Sequence, residues 1–137
     1  MTGILKGKRI FIIEDDIFNL NVFTVSLKGS GARIEQNTLG YDIVPHIAEC
    51  LPVDLILLDI KLRGHINGYA VYDQIRNSYK LMHIPVVAVT SLDPEVEIPK
   101  TKVKGFNGFI AKPIAVRVFP DYIARALAGD KIWINRT

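Results

Sequence analysis

Four short apolar runs, each followed directly by polar or charged residues, constrain the fold of this chain more than any other feature. The runs and the residues that follow them are 11–13 with Glu14, Asp15 and Asp16, 55–58 with Asp59, 86–89 with Thr90, and 109–111 with Lys112 and Pro113. Continuous aliphatic runs of this length, separated by segments of helical periodicity, indicate buried parallel strands. The alternation predicts an α/β domain whose parallel sheet is covered by helices on both faces, with every strand-to-helix loop at the carboxyl edge.

The rest of the pattern predicts one domain over residues 1–137, with a core over residues 7–129 and a C-terminal tail over 130–137. We expect five strands and five helices in the core. Residues 93–105 lie where the fourth helix belongs, but Pro99 would break an interior turn, which predicts a short or irregular helix. The tail contains Ile132, Trp133 and Ile134 and is expected to dock on the domain or on a partner.

Composition excludes several classes of protein. Hydrophobic residues make up 49% of the 137 residues, which supports a packed core. No apolar run approaches the roughly 20 residues that a membrane helix needs, and the first residues lack the apolar segment of a signal peptide. We therefore expect a cytoplasmic protein without membrane contact. The net charge of +3 is spread too thinly to predict direct nucleic-acid binding.

The acids after the first and third apolar runs suit a magnesium ion. Mg²⁺ prefers carboxylate and other oxygen ligands, and Glu14, Asp15 and Asp59 supply carboxylates from two strand ends. Consecutive acids can also simply begin a helix and complement its dipole, which is the simpler interpretation of Asp16. Asp59 follows four buried aliphatic residues, so its carboxylate needs a partner or a function.

A carboxylate at such an edge can act as a nucleophile toward phosphorus and form an aspartyl phosphate. Phosphoryl transfer depends mainly on positioning and on neutralising the charge of the phosphoryl oxygens. In this interpretation Lys112 and Mg²⁺ supply the positive charge and the Thr90 hydroxyl supplies a hydrogen bond. Each residue alone has an ordinary structural explanation, whereas their order along the chain favours a joint role.

The chain resembles the receiver domains of response regulators in two-component signalling. The resemblance is carried by four stretches in register, residues 12–16, 54–60, 84–91 and 108–114, and covers residues 7–129. It implies a flavodoxin-like, doubly wound, five-stranded parallel sheet in the order 2-1-3-4-5. It also implies Mg²⁺ as cofactor and a histidine kinase or histidine phosphotransfer protein as partner, with an unknown downstream target.

The same resemblance implies a role for each matching residue at the acceptor site. Asp59 would be the phosphoacceptor. Asp15 and Asp59 would bind Mg²⁺ directly together with the backbone carbonyl of Lys61, and Glu14 would act mainly through a metal-bound water.

Three further positions match the residues that sense the phosphoryl group. Thr90 would be the switch hydroxyl, Phe109 the aromatic residue that reports or gates the shift, and Lys112 the phosphate-pairing lysine. The Lys112–Pro113 peptide bond would be cis. For Phe109 a plain core position is the alternative.

The loop over residues 60–68 departs from the family pattern. It is one residue longer than the commonest form and lacks the usual proline, which leaves the position of the Lys61 carbonyl open. His65 within it is expected to be an exposed loop residue and not a metal ligand. The unusual 93–105 stretch likewise leaves open the output surface that the family forms from its fourth helix and fifth strand.

Competing interpretations are weaker. An aspartyl-phosphate phosphatase of the haloacid dehalogenase type needs an acid two residues after the nucleophile, where this chain has Lys61. A nucleotide-binding fold needs a glycine-rich loop after the first strand, whereas Gly29 and Gly31 follow a helix. The remaining alternative is a degenerate receiver that binds partners without phosphorylation. We expect a stand-alone receiver that is no enzyme beyond phosphorylating itself and slowly losing the group.

Overall fold

In the computed structural model, which describes residues 3–38, 42–64 and 66–135, six strands alternate with five helices. The strands are β1 (Arg9–Ile13), β2 (Arg33–Asn37), β3 (Leu55–Leu58), β4 (Val86–Thr90), β5 (Gly108–Ala111) and β6 (Ile132–Ile134). The helices are α1 (Ile17–Lys28), α2 (Ile43–Glu49), α3 (Gly68–Asn77), α4 (Pro94–Lys104) and α5 (Phe119–Leu127). No helix in these described ranges is long and apolar enough to cross a membrane.

The strands form one parallel sheet in the order β2-β1-β3-β4-β5-β6. The order of the first five strands and the doubly wound α/β class are confirmed. β3 and β4 lie in the middle of the sheet, and every residue in them is buried. Central parallel strands covered on both faces require such continuous aliphatic sequences.

Alternate residues of each strand divide the core into two layers. Phe11, Ile56 and Phe109 point to the face covered by α2 and α3, where they form one buried cluster with the apolar residues of those helices. Ile12 and Ile110 point to the opposite face and pack with residues of α1 and α5. The period of two in the strands therefore places helices on both sides of the sheet, as the sequence predicts.

The prediction of five strands is wrong by one, because the C-terminal tail adds β6 beside β5. Gly129 turns the chain after α5 with a φ of +100°, which favours glycine, and Ile132 then pairs with Gly108. A Cβ atom at residue 108 would lie 2.6 Å from Ile132 Cγ1 and 2.8 Å from its carbonyl oxygen. The missing side chain of Gly108 is what lets β6 approach this closely.

The prediction of a short or irregular fourth helix is also wrong, since α4 is a continuous helix of 11 residues. Asp93 caps its start by accepting a hydrogen bond from Glu95 N at 3.0 Å, and Gly105 ends it in a left-handed conformation. Pro99 removes one backbone hydrogen bond, but it lies on the exposed face where water reaches the freed carbonyl. Caps and packing against the sheet outweigh that loss.

We predict that Gly108→Ala lowers the free energy of unfolding by about 1–3 kcal/mol, because the new methyl group collides with Ile132. Chemical denaturation of the two chains measures the change. In an Ile132→Ala background, which removes Cγ1, the same substitution should cost less. An equal cost in both backgrounds would place the strain elsewhere than at the contact between the two strands.

Candidate functional site

Three carboxylates meet at the carboxyl edge of the sheet, between β1 and β3. Glu14 and Asp15 follow β1, and Asp59 follows β3. Ile13 of β1 pairs with Leu58 of β3, so the residues that follow these two strands are neighbours. One oxygen atom from each of the three carboxylates lies within 4.8 Å of the others. Glu14 is 1% exposed and Asp59 is 6% exposed, so two of the three acids are almost completely removed from water.

The ammonium group of Lys112 joins the two buried acids. Its Nζ lies 2.5 Å from Glu14 Oε1 and 3.0 Å from Asp59 Oδ2. Burial alone would lower the pKa of Lys112, but the Asp59 and Glu14 carboxylates outweigh it and hold the pKa above its usual value. Lys112 therefore stays charged, and its bond to Pro113 is cis. The lysine from β5 and the acids from β1 and β3 are thus brought together, as their positions in the sequence predict.

Glu14 keeps its proton to a higher pH than an ordinary carboxyl group. Burial is the largest cause of the shift, and the charge of Asp59 adds to it. The hydrogen bond from Lys112 and its charge oppose both effects, and the pKa of Glu14 settles at about 7 against an ordinary value of 4.5. Burial of the Glu14 carboxyl thus outweighs its contact with Lys112.

Asp15 and Asp16 have different environments although they are adjacent. Asp16 is the N-cap of α1, and its Oδ1 accepts a hydrogen bond from Asn19 N at 3.0 Å, which fits the simple helix-start interpretation. Asp15 Oδ2 instead accepts a hydrogen bond from Arg63 N in the loop after β3. The Arg63 guanidinium lies 3.9 Å from Asp16 Oδ2. Arg63 was not among the predicted site residues, because only the folded loop brings it to the acids.

The backbone after Asp59 folds back on the aspartate. Lys61 N donates to Asp59 Oδ1 at 3.1 Å, and Lys61 also forms an isolated antiparallel bridge with Asn67. The longer loop is thus closed at its base, and the Lys61 backbone remains next to the acids. His65 lies outside the described residues.

Gly68 is a second residue that the sequence analysis missed. A Cβ atom there would lie 2.5 Å from Asp59 O and 2.5 Å from Ile60 Cα, both of them backbone atoms that cannot move independently. Only glycine lets α3 begin this close to the end of β3. A glycine at the end of the loop and the start of a helix is a signal of this kind, although the sequence does not say which backbone it must approach.

Thr90 and Phe109 are both fully buried. Thr90 is fully buried at the end of β4, where its Oγ1 accepts a hydrogen bond from Leu92 N at 3.3 Å. Ser91, the next residue, lines the same hollow as the acids and Lys112. Phe109 is fully buried in the cluster on the α2 and α3 face and pairs in register with Ala88. Phe109 is therefore level with Leu58, one residue before Asp59, whereas Thr90 lies at the carboxyl end of β4.

The hollow has a volume of about 270 Å³. The carboxylates and the ammonium group that line it suit a cation together with an oxyanion. Two oxygen ligands on opposite sides of Mg²⁺ lie about 4 Å apart at its preferred bond lengths of about 2.1 Å. Carboxylate oxygens within 4.8 Å of one another need only a small movement to reach that spacing. Glu14, Asp15 and Asp59 therefore fit a magnesium ion, and Lys112, which contacts the two buried acids, lines the same hollow.

Comparison with known proteins gives a consistent result. The response regulator receiver domain matches this chain over residues 10–124. The polar-differentiation response regulator DivK of Brucella ovis is 31% identical over 123 residues, which cover 90% of this chain and 98% of DivK. The chemotaxis response regulator CheY4 of Vibrio cholerae is 18% identical with a TM-score of 0.75, over 87% of this chain and 98% of CheY4.

A sensor protein from Polaromonas sp. JS666 also has the same fold. Its TM-score is 0.79 at 19% identity, over 89% of this chain and 97% of that one. The fold, the order of its strands and the match over residues 10–124 lead to one conclusion. This chain belongs to the response regulator receiver domain family of two-component signalling.

Proposed function

We propose that this receiver is a phosphoacceptor, in which Asp59 takes a phosphoryl group from a phosphohistidine of a histidine kinase or histidine phosphotransfer protein. The observation that carries the proposal is the environment of the Asp59 carboxylate. It lies 3.0 Å from the ammonium of Lys112 and next to the carboxylates of Glu14 and Asp15, at the wall of an open hollow. In this position an oxygen atom of Asp59 can form a bond to phosphorus while the bond from phosphorus to the donor breaks.

The residues around Asp59 have different roles in the transfer. Lys61 N and Lys112 Nζ hold the two oxygens of Asp59 and so fix the direction of the carboxylate. Lys112 then pairs with an oxygen of the transferred group, which carries more negative charge than the carboxylate alone. Mg²⁺, held by Glu14, Asp15, Asp59 and the Lys61 carbonyl, would neutralise the remaining charge of the phosphoryl oxygens.

Thr90 and Phe109 provide a way to read the modification. A phosphoryl group on Asp59 offers acceptor oxygens near the end of β4, and the Thr90 hydroxyl can leave Leu92 N to donate to one of them. The β4–α4 loop would then shift, and buried Phe109 on the neighbouring strand would adjust its packing. We infer a two-state switch in these loops that changes which partner binds.

The reaction that we propose is self-modification, with slow self-dephosphorylation, and not turnover of a separate substrate. Attack of water on the aspartyl phosphate would return Asp59 and free phosphate. The hollow is open enough to admit that water, since Arg63 and Ser91 at its rim are both exposed.

An exposed apolar surface next to the hollow supports a protein as phosphodonor. Phe18 is 76% exposed on α1, and Val25 and Val116 extend the same surface. A groove of about 380 Å³ runs among these side chains. Asn19 on the same helix lines the hollow, so a partner that docks on α1 can place a phosphohistidine above Asp59.

We predict that Asp59→Asn abolishes phosphorylation by acetyl phosphate, because the amide cannot act as the nucleophile. Intact-protein mass spectrometry measures the added phosphoryl group. Asp54→Asn is the matched control, since Asp54 lies at the other end of β3, where it accepts a hydrogen bond from Arg9 N. It should be labelled like the unmodified chain. Undiminished labelling of Asp59→Asn would contradict the assignment. No labelling of the unmodified chain or of Asp54→Asn would favour a receiver that binds partners without phosphorylation.

We predict that Asp15→Asn weakens Mg²⁺ binding by roughly tenfold or more, because a charged ligand becomes a neutral one. Isothermal titration calorimetry of the unphosphorylated chains compares the affinities directly. Asp93→Asn, which keeps a capping side chain at the start of α4, should bind Mg²⁺ like the unmodified chain. Equal affinity in all three chains would exclude Asp15 from the metal site.

We predict that the metal-free protein loses stability between about pH 4.5 and pH 7 through Glu14. The pKa of Glu14 is raised to about 7 in the folded state, so in this range the folded chain binds more protons than the unfolded chain. The free energy of unfolding therefore falls as the pH rises, by on the order of 3 kcal/mol for this group. Urea denaturation with chelator present should show a flatter profile for Glu14→Gln, and parallel profiles would disprove the link.

A further inference from the structure

A second groove lies away from the acceptor site, between the first turn of α3 and the outer face of α4. It has a volume of about 490 Å³, against about 270 Å³ for the hollow at the acids. Its lining, here called the α3–α4 groove, consists of Tyr69, Pro99, Lys100, Val103 and Lys104. Val103 is 88% exposed, the highest fraction among the large apolar side chains of the described residues. With Tyr69 and Pro99, Val103 gives this groove an apolar lining that is open to a partner.

The exposed face of α4 has the spacing of a helix-binding surface. Val96, Pro99, Lys100 and Val103 follow one another at i, i+3, i+4 and i+7, and all four are exposed. This face extends about 10 Å along the helix, which is two turns. Its apolar side chains are thus spaced to meet residues two turns apart on a second helix.

The floor of the groove is fixed. Tyr69 donates its hydroxyl proton to Glu97 Oε1 at 2.7 Å, which ties the start of α3 to α4. Burial and the hydrogen bond to Glu97 raise the pKa of Tyr69, so the phenol keeps this proton. Tyr69 N is held in turn by the Asn67 side chain. A partner would therefore meet a preformed surface.

The charge of the groove selects the kind of partner. Both charged residues in its lining, Lys100 and Lys104, are lysines. Lys104 Nζ pairs with Asp73 at 2.8 Å on the outer side of α3, whereas Lys100 is exposed. Acidic side chains are thus the complement of this rim.

The other side of α4 is covered by the chain itself. β6 lies against β5, beyond the residues 10–124 that match the family. Trp133 of β6 lies beneath Lys102, whose Nζ is 5.0 Å from the ring centroid. Gly108 has no room for a side chain beside Ile132, so β5 is adapted to this strand. The surface that α4 forms with β5 is therefore occupied in this chain, and the open surface of α4 faces α3.

We propose that the α3–α4 groove docks an acidic amphipathic helix of a partner protein. An apolar side chain of that helix would lie between Tyr69 and Val103, and its carboxylates would pair with Lys100 and Lys104. β6 covers the side of α4 next to β5, which leaves the side that faces α3 for this partner. The proposal concerns the unphosphorylated protein and does not depend on the chemistry of Asp59.

A labelled synthetic peptide tests the proposal. The probe is a helix of about four turns, with leucine at i, i+3 and i+7 and glutamate at most other positions. We expect it to bind the full chain, to bind the Asp59→Asn chain equally well, and to shift the amide resonances of Tyr69, Lys100 and Val103. The same peptide with lysine in place of glutamate should not bind. Fluorescence anisotropy gives the affinities.

Two substitutions should each weaken this binding by about tenfold or more. Val103→Asp places a negative charge in the groove, and Lys100→Glu reverses the charge of its rim. Both residues are exposed, so the thermal midpoint should stay unchanged in both chains. Tyr79→Asp is the matched control, because Tyr79 is 81% exposed beyond the far end of α3, and it should bind the peptide normally.

Four results would overturn the proposal. They are no binding at about millimolar peptide, equal binding of the lysine peptide, resonance shifts that cluster on α1 or β6, and unchanged affinity in both Val103→Asp and Lys100→Glu.

Discussion

The contact of Lys112 with Glu14 and Asp59 is the interaction on which the site depends. Two carboxylates this deeply buried would repel each other and lose their hydration, and one ammonium group within 3.0 Å of both offsets part of that cost. It does not offset all of it, because burial still raises the pKa of Glu14 and the charge of Asp59 adds to the shift. A divalent cation is the complement that this charge distribution lacks, which makes the site responsive to what binds there.

The sheet makes this arrangement possible. Glu14, Asp59 and Lys112 belong to segments up to 98 residues apart in sequence, but they follow three strands of one parallel sheet. Parallel pairing in fixed register brings those strand ends to one edge. The aliphatic residues of β3 and β4 hold the register, because a slip by one residue would turn every side chain to the opposite face. The apolar core and the charged site are therefore consequences of the same pairing.

Much of this could be predicted from the sequence, because it depends on local patterns. The strands before Asp59 and Lys112 are continuous aliphatic runs, and their bounds follow from where those runs stop. The errors involve residues whose structure depends on distant partners. The effect expected of Pro99 is local, whereas the packing of α4 against the rest of the domain depends on distant residues. β6 is three residues long, and only its fit beside Gly108 makes it a strand. Arg63 reaches Asp15 only through the folded loop.

The sixth strand also changes which strand forms this edge of the sheet. The outermost strand of any sheet presents unpaired N–H and C=O groups, which invite strands from other molecules and lead to aggregation. Without β6 that role would fall to β5, whose four residues are all buried and none of which is charged. With β6 in place, the terminal ladder is only three residues long and follows the charged residue Lys131. The chain thus limits its own tendency to polymerise with a segment that contributes nothing to the acid cluster.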